Sequence, residues 1–334
     1  MITCDRLPIT RRMASCHACY QMTYRGETIR EEEVLYDVAH HWIGEQAHIV
    51  RLNMGNLFAT VIFGLAASLC WGSGDFSGGL ASRRANVSSV VVAAYAVGLV
   101  LMTTLALLWH EPFPHPMDLL WASLAGIAGV LGLLAFYSAL ATGKMGIAAP
   151  VSAVLTATLP VLFSVFTVGL PSLIQLGGFL VALVAITLIS RPERATSAGS
   201  PRGIGLALLA GCGFGCFFIL ISRVDPGTTF WSLAVARFTS ITPLLILMRL
   251  RRQPILPGAD VTPLIIITGI LDAVGNAFFV LAAHSGRLDV AAILSALYPA
   301  ATVILAALLL RERVNRVQGI GILLAILAIP LISV

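Results

Sequence analysis

The chain has 334 residues, of which 58% are hydrophobic and only 11% charged. Soluble domains average about 25% charged residues, so this composition, with a mean hydropathy of +0.92, excludes a disordered chain and an ordinary cytosolic enzyme. The net charge of +5 is no sign of a nucleic-acid partner, because the basic residues of a membrane protein gather in short loops and set its orientation.

The first 52 residues are a different material. They hold seven of the sixteen acids and six of the twenty-one bases, with no apolar run long enough to cross a bilayer and no signal-peptide core. Cys16 and Cys19 stand at metal-ligand spacing, and His40, His41 and His48 could complete a zinc site. One CxxC without a second pair is weak evidence for zinc, so no metal and no cofactor are expected. The favoured reading makes residues 1–53 a short disordered tail or an upstream gene start, with translation beginning at Met54.

From Leu57 the sequence reads as ten hydrophobic segments: Leu57–Leu80, Val87–Trp109, Leu119–Thr142, Ile147–Val168, Leu173–Ser190, Ile204–Ile221, Phe230–Met248, Val261–Ala283, Val290–Leu310 and Val317–Ile332. Each approaches the roughly 20 residues that a helix needs to cross about 30 Å of hydrocarbon. Lipid offers backbone amides no partner, so the spans are helices, and a barrel would show shorter alternating segments. Cys70, Cys212 and Cys216 lie inside these runs and read as small buried hydrophobes. Connections are short, and only the polar stretch 191–201 has the composition of an interdomain linker.

Sliding the chain on itself by 143 positions lays Ala59–Ser190 over Arg202–Ser333 without a gap. Gly72 meets Gly215, Gly126 meets Gly269, Gly132 meets Gly275 and Phe136 meets Phe279; from Gly143 to Ser190, 16 of 48 positions are identical. The expected fold is therefore an all-α polytopic membrane protein of about ten transmembrane helices. They form two five-helix repeats, 54–190 and 202–334. Five is odd, so the repeats lie inverted in the membrane, an architecture of secondary transporters whose solute site falls between the halves.

The stretch Gly286-Arg287-Leu288-Asp289-Val290 through Ser295-Ala296-Leu297-Tyr298-Pro299, with Arg311-Glu312-Arg313 and Gln318-Gly319-Ile320-Gly321, resembles the closing repeat of EamA-type proteins of the drug/metabolite transporter superfamily. Trp71-Gly72-Ser73 and Ala236-Arg237-Phe238 resemble further marks of that family, and the resemblance covers Met54–Val334. The first repeat departs from it, with Gly169-Leu170 in place of Glu312-Arg313 and Thr156 in place of Pro299. The resemblance implies a carrier of small metabolites, amino acids or drugs, usually directed outward.

Ionisable side chains at membrane depth are rare and functional by default. Three are found: Asp75, Arg237 and Asp272. Arg237 and Asp272 are either the polar floor of a solute cavity, with Asp272 a candidate proton acceptor, or a structural ion pair. Asn276 shares the Asp272 face at i+4. Asp75 lies near the end of its span within Trp71-Gly-Ser-Gly-Asp-Phe-Ser-Gly-Gly79, where close helix packing is favoured over an unwound helix. Trp71, Tyr95, Tyr137 and Tyr298 could stack on a solute, although such rings more often anchor helices at the interface.

The function expected is thus secondary transport of a small solute, with a proton as candidate co-substrate, in the cell (inner) membrane. The expected partners are the solute and the lipid bilayer, and the oligomeric state is left open. Uptake or lipid-carrier flipping is the alternative, and a receptor or membrane-embedded enzyme stands last. Odd-numbered turns hold twelve bases and even-numbered turns only Arg223 and Arg287. The charge rule therefore puts the odd turns inside and both termini outside, whereas the resemblance implies cytoplasmic termini.

Overall fold

A computed structural model describes residues 31–141, 145–190, 201–255 and 257–334, with side chains from residue 56 onward except at 137, 140–148 and 201–202. Two compact units divide the chain, Met1–Met54 and Gly55–Val334. Cys16, Cys19 and the side chains of His40, His41 and His48 lie outside the described residues. From Glu31 onward the backbone is helical.

The helices are α1 (Glu31–Ser82), α2 (Val87–Leu108), α3 (Pro116–Ala141), α4 (Met145–Thr167), α5 (Leu173–Ile189), α6 (Pro201–Ile221), α7 (Thr229–Leu250), α8 (Thr262–Ser285), α9 (Leu288–Ser295), α10 (Tyr298–Leu309) and α11 (Arg316–Ile332). Among the described residues eight segments are long and apolar enough to cross a membrane, α9 and α10 together forming one. The shorter apolar helices α5 and α11 bring the crossings to ten. The ends are set by local chemistry. Asn86 accepts the Ser88 N–H ahead of α2, and α5 and α11 each begin with a capping box, Ser172/Gln175 and Asn315/Gln318. Those two boxes are themselves 143 positions apart.

Contacts between elements repeat with the sequence. α3 packs on α6 as α8 packs on α1; α3 packs on α7 as α8 packs on α2; α5 and α11 face each other. The equivalence reaches single atoms. A Cβ added at Gly132 would meet Phe214 at 3.1 Å, and one at Gly275 would meet Trp71, the residue equivalent to Phe214, at 2.6 Å. Gly178 abuts Ile332 just as Gly321 abuts Ile189. Small residues let the helices approach this closely.

Among the described residues, turns meet only turns that an alternating bundle puts at the same end. Arg83 after α1 pairs with Glu312 after α10, and Ser89 at the start of α2 bonds the Pro254 carbonyl after α7. At the other end, Glu111 accepts the backbone N–H groups of Phe230 and Trp231, and Arg287 donates to the Gly169 carbonyl at 2.9 Å.

The ninth crossing is broken, which its hydropathy does not reveal. α9 stops at Ser295, and α10 starts at Tyr298, immediately before Pro299. Proline lacks the N–H that would continue the ladder and disfavours helical backbone just before it. α1 is continuous through its glycines, of which Gly72, Gly74 and Gly78 abut α10 and α8, so close packing is the reading that holds there.

Candidate functional site

Arg237 projects from α7 into the bundle and is 8% exposed. Its Nη2 forms an ion pair with the Asp272 Oδ2 of α8, whose side chain keeps 31% of its surface accessible. The guanidinium carbon lies 4.5 Å from the centre of the Tyr95 ring of α2. An arginine over an aromatic face gains a cation–π contribution that grows as the site dries. Burying a guanidinium without a carboxylate would be costly, so the pair fixes how α7 and α8 pack.

Asn276 lies one turn beyond Asp272 and is buried, but its amide donates to the Asp272 backbone carbonyl rather than to the carboxylate. Beside it a small cavity of about 10 Å³ is lined by Phe217, Leu233, Ala236, Arg237, Ser240 and Asn276. That is room for about one water-sized sphere.

Asp75 is exposed, seven residues before the end of α1. It stands within charge range of Asp272, Tyr95 and Tyr298, on the stretch of α1 whose Gly74 abuts Asp272. One turn earlier Trp71 stacks on Phe218 at 5.4 Å and meets the edge of Tyr298 at 6.4 Å. The structure thus brings Trp71, Asp75, Tyr95, Arg237, Asp272 and Asn276 together. The Tyr137 side chain lies outside the described residues. Among the described residues no cluster of His, Cys, Asp or Glu could hold a metal ion.

The duplicated sequence matches the EamA-like transporter family over residues 58–191 and again over 201–334. The chain belongs to that family. Its two EamA-like repeats and apolar spans make it a multi-pass integral membrane protein and a membrane transporter. An uncharacterized protein of Methanocaldococcus jannaschii is 29% identical over 131 residues, which are 39% of this chain and 94% of that protein. That relative is thus about one repeat long. A crystal structure of a protein shares the fold, with a TM-score of 0.64 at 17% identity, covering 82% of this chain and 98% of the other.

One contributor to the site escapes a reading of the EamA-like sequence alone. Ser240 lines the cavity and donates to the Gly126 carbonyl at 2.9 Å, and its signal is only the i+3 spacing from Arg237. Tyr298, already named from the sequence as a ring that could stack on a solute, stands within charge range of Asp75 at the helix break before Pro299.

Outside the membrane-spanning segments, burial raises the Glu111 carboxyl above its ordinary value, against the lowering effect of the Trp231 and Phe230 N–H groups. Glu111 holds the start of α7, and hence the depth at which Arg237 sits.

Proposed function

We propose that this protein is a secondary transporter that exports a small metabolite, amino acid or drug-like solute by alternating access, with Arg237 and Asp272 in its pathway. One observation carries the reading: a buried ion pair at mid-membrane depth, between α7 and α8, beside a cavity too small for a solute. A pair kept only for stability could be replaced by apolar side chains at little cost. Asp75, Asn276, Trp71, Tyr95 and Tyr137 complete the pathway, Asp272 is a proton acceptor, and the resemblance to outward-directed carriers supports the direction. The odd-numbered turns, with twelve bases against two, are cytoplasmic.

The decisive experiment reconstitutes the full chain in liposomes and screens a metabolite panel for counterflow. One or more solutes should exchange, and both Arg237→Ala and Asp272→Asn should stop the exchange while the protein stays in the membrane. Near-normal exchange by either variant removes that residue from the pathway. For orientation, a fluorescent protein that folds only in the cytoplasm, fused after Val334, should stay dark.

A further inference from the structure

The described ionisable groups at membrane depth do not cancel. Arg237 is matched by Asp272. Asp75 is a second carboxylate within charge range of the first, and no described residue offers it a cation. Facing it are Tyr95 from α2, Asp272 from α8 and Tyr298 from α10, while Arg237 from α7 faces Asp272 and Tyr95. The cluster therefore carries one uncompensated negative charge when both acids are ionised. Lone charges at this depth are expensive, so a proton or a positive group arriving from solution would relieve the deficit.

The surroundings select the kind of positive group. Trp71 lies one turn from Asp75 on the same side of α1, and its indole meets Tyr298 edge-on at 6.4 Å. Phe218 and Phe279 back the indole at 5.4 and 5.9 Å, so the ring is held in place. A carboxylate beside fixed aromatic rings suits an ammonium group better than a hydrated metal ion, because the ring faces attract a weakly hydrated cation. Asp75 itself is exposed, so the group need not break an existing partnership to enter.

We infer that Asp75, Trp71 and Tyr298 form a binding site for the ammonium group of an organic cation, distinct from the Arg237–Asp272 pair, and that the carried solute bears such a group beside an apolar or aromatic part. The inference rests on reading this cluster as part of the solute pathway. A proton on Asp75 competes with the ammonium group, so binding strengthens as pH rises through the titration of that carboxyl.

The test is calorimetric titration of the purified full chain with phenethylammonium, phenethyl alcohol and phenylpropionate, probes of similar shape that differ in charge. Phenethylammonium should bind at least tenfold more tightly than either of the others, and more tightly at higher pH. Asp75→Asn should weaken it at least tenfold, and Asp75→Glu should restore most of the affinity, which a merely misfolded variant would not do. Trp71→Phe should weaken it less than Trp71→Ala. Equal binding by Asp75→Asn, tighter binding of the alcohol or the carboxylate, or no binding of phenethylammonium at millimolar concentration each overturns the inference. So does the finding that Asp75 takes up only a proton, seen as pH-dye uptake that Asp75→Asn abolishes while phenethylammonium leaves it unchanged. Exchange of an anionic or neutral solute that needs Arg237 but tolerates Asp75→Asn overturns the ammonium site and leaves the transporter reading standing.

Discussion

The cluster holding Asp75 and its equivalent in the other half share a backbone arrangement and almost no chemistry. Moving each residue by 143 positions puts Phe214 at the place of Trp71, Phe218 at Asp75, Phe238 at Tyr95, Ala94 at Arg237, Gly129 at Asp272, Leu133 at Asn276 and Leu155 at Tyr298. Every polar group on one side has an apolar counterpart on the other. The contacts are nonetheless kept. Trp71 meets Phe279 at 5.9 Å, and their equivalents Phe214 and Phe136 meet at 6.2 Å. The repeat fixes which helices touch, while the charges stand on one side only.

The largest effect should come from the charges. Stranding one member of a buried pair costs about 3–5 kcal/mol, so Arg237→Ala or Asp272→Asn should lower initial exchange rates by at least about a hundredfold, at roughly 1.4 kcal/mol per factor of ten. Neutralising both tests what the pair is for. Recovery in the double variant would show a structural pair, and continued loss a solute site.

The next test exchanges the two sides. Trp71→Ala should lower exchange by about tenfold or more. Phe214→Ala should leave exchange largely intact and lower thermal stability instead, by about 3–5 kcal/mol, as large-to-small changes in packed interiors do. If Phe214→Ala proved the more damaging to transport, the functional asymmetry would run the other way.

Glycine substitution sharpens the same contrast. A Cβ at Gly275 would lie 2.6 Å from the Trp71 ring, whereas one at Gly132 would meet the Ala210 carbonyl and the Phe214 ring at 3.1 Å. Gly275→Ala should therefore destabilise by about 1–3 kcal/mol, the usual range for overpacking, and slow exchange by displacing the indole. Gly132→Ala should cost less and spare exchange. Melting temperature and counterflow, measured on both variants, separate the two.

The smallest effect belongs to Glu111, whose proline counterpart Pro254 offers only a carbonyl, to Ser89. Burial raises the folded-state value of the Glu111 carboxyl, so the fold holds that proton more tightly than the unfolded chain does. Its contribution is then fully present below the unfolded value and fades as pH rises through the folded one. Glu111→Gln should flatten the melting temperature against pH across the acid range, with a shift of a degree or two at neutral pH if the change is a few tenths of a kcal/mol.

Hydropathy made the ten crossings legible because lipid demands long apolar runs, and the ends fell within a few residues of those observed: α2 begins at the expected Val87 and α6 ends at the expected Ile221. The constant offset revealed the duplication, since every loop kept its length. The break before Tyr298 was hidden, because proline is also tolerated within α4, α7 and α11 of this same bundle. Of the cluster, the charges could be found from their rarity alone. What their neighbours do could not. Asn276 shares the Asp272 face yet bonds backbone, and Asp75 reads as a helix end until α8 and α10 are seen beside it.

The paired helices α5 and α11 have 17 residues each, about 25 Å of helix at 1.5 Å per residue against a hydrocarbon core of about 30 Å. Packed against each other, they present the membrane with one flank that is too short. Phe166, Val168, Leu170 and Leu173 lengthen that flank at one end, with exposures of 87, 61, 76 and 87%. The remaining mismatch falls on the lipid, which thins locally at a modest cost per ångström. Activity should therefore depend on acyl-chain length, with an optimum in bilayers thinner than the eight longer crossings alone would select.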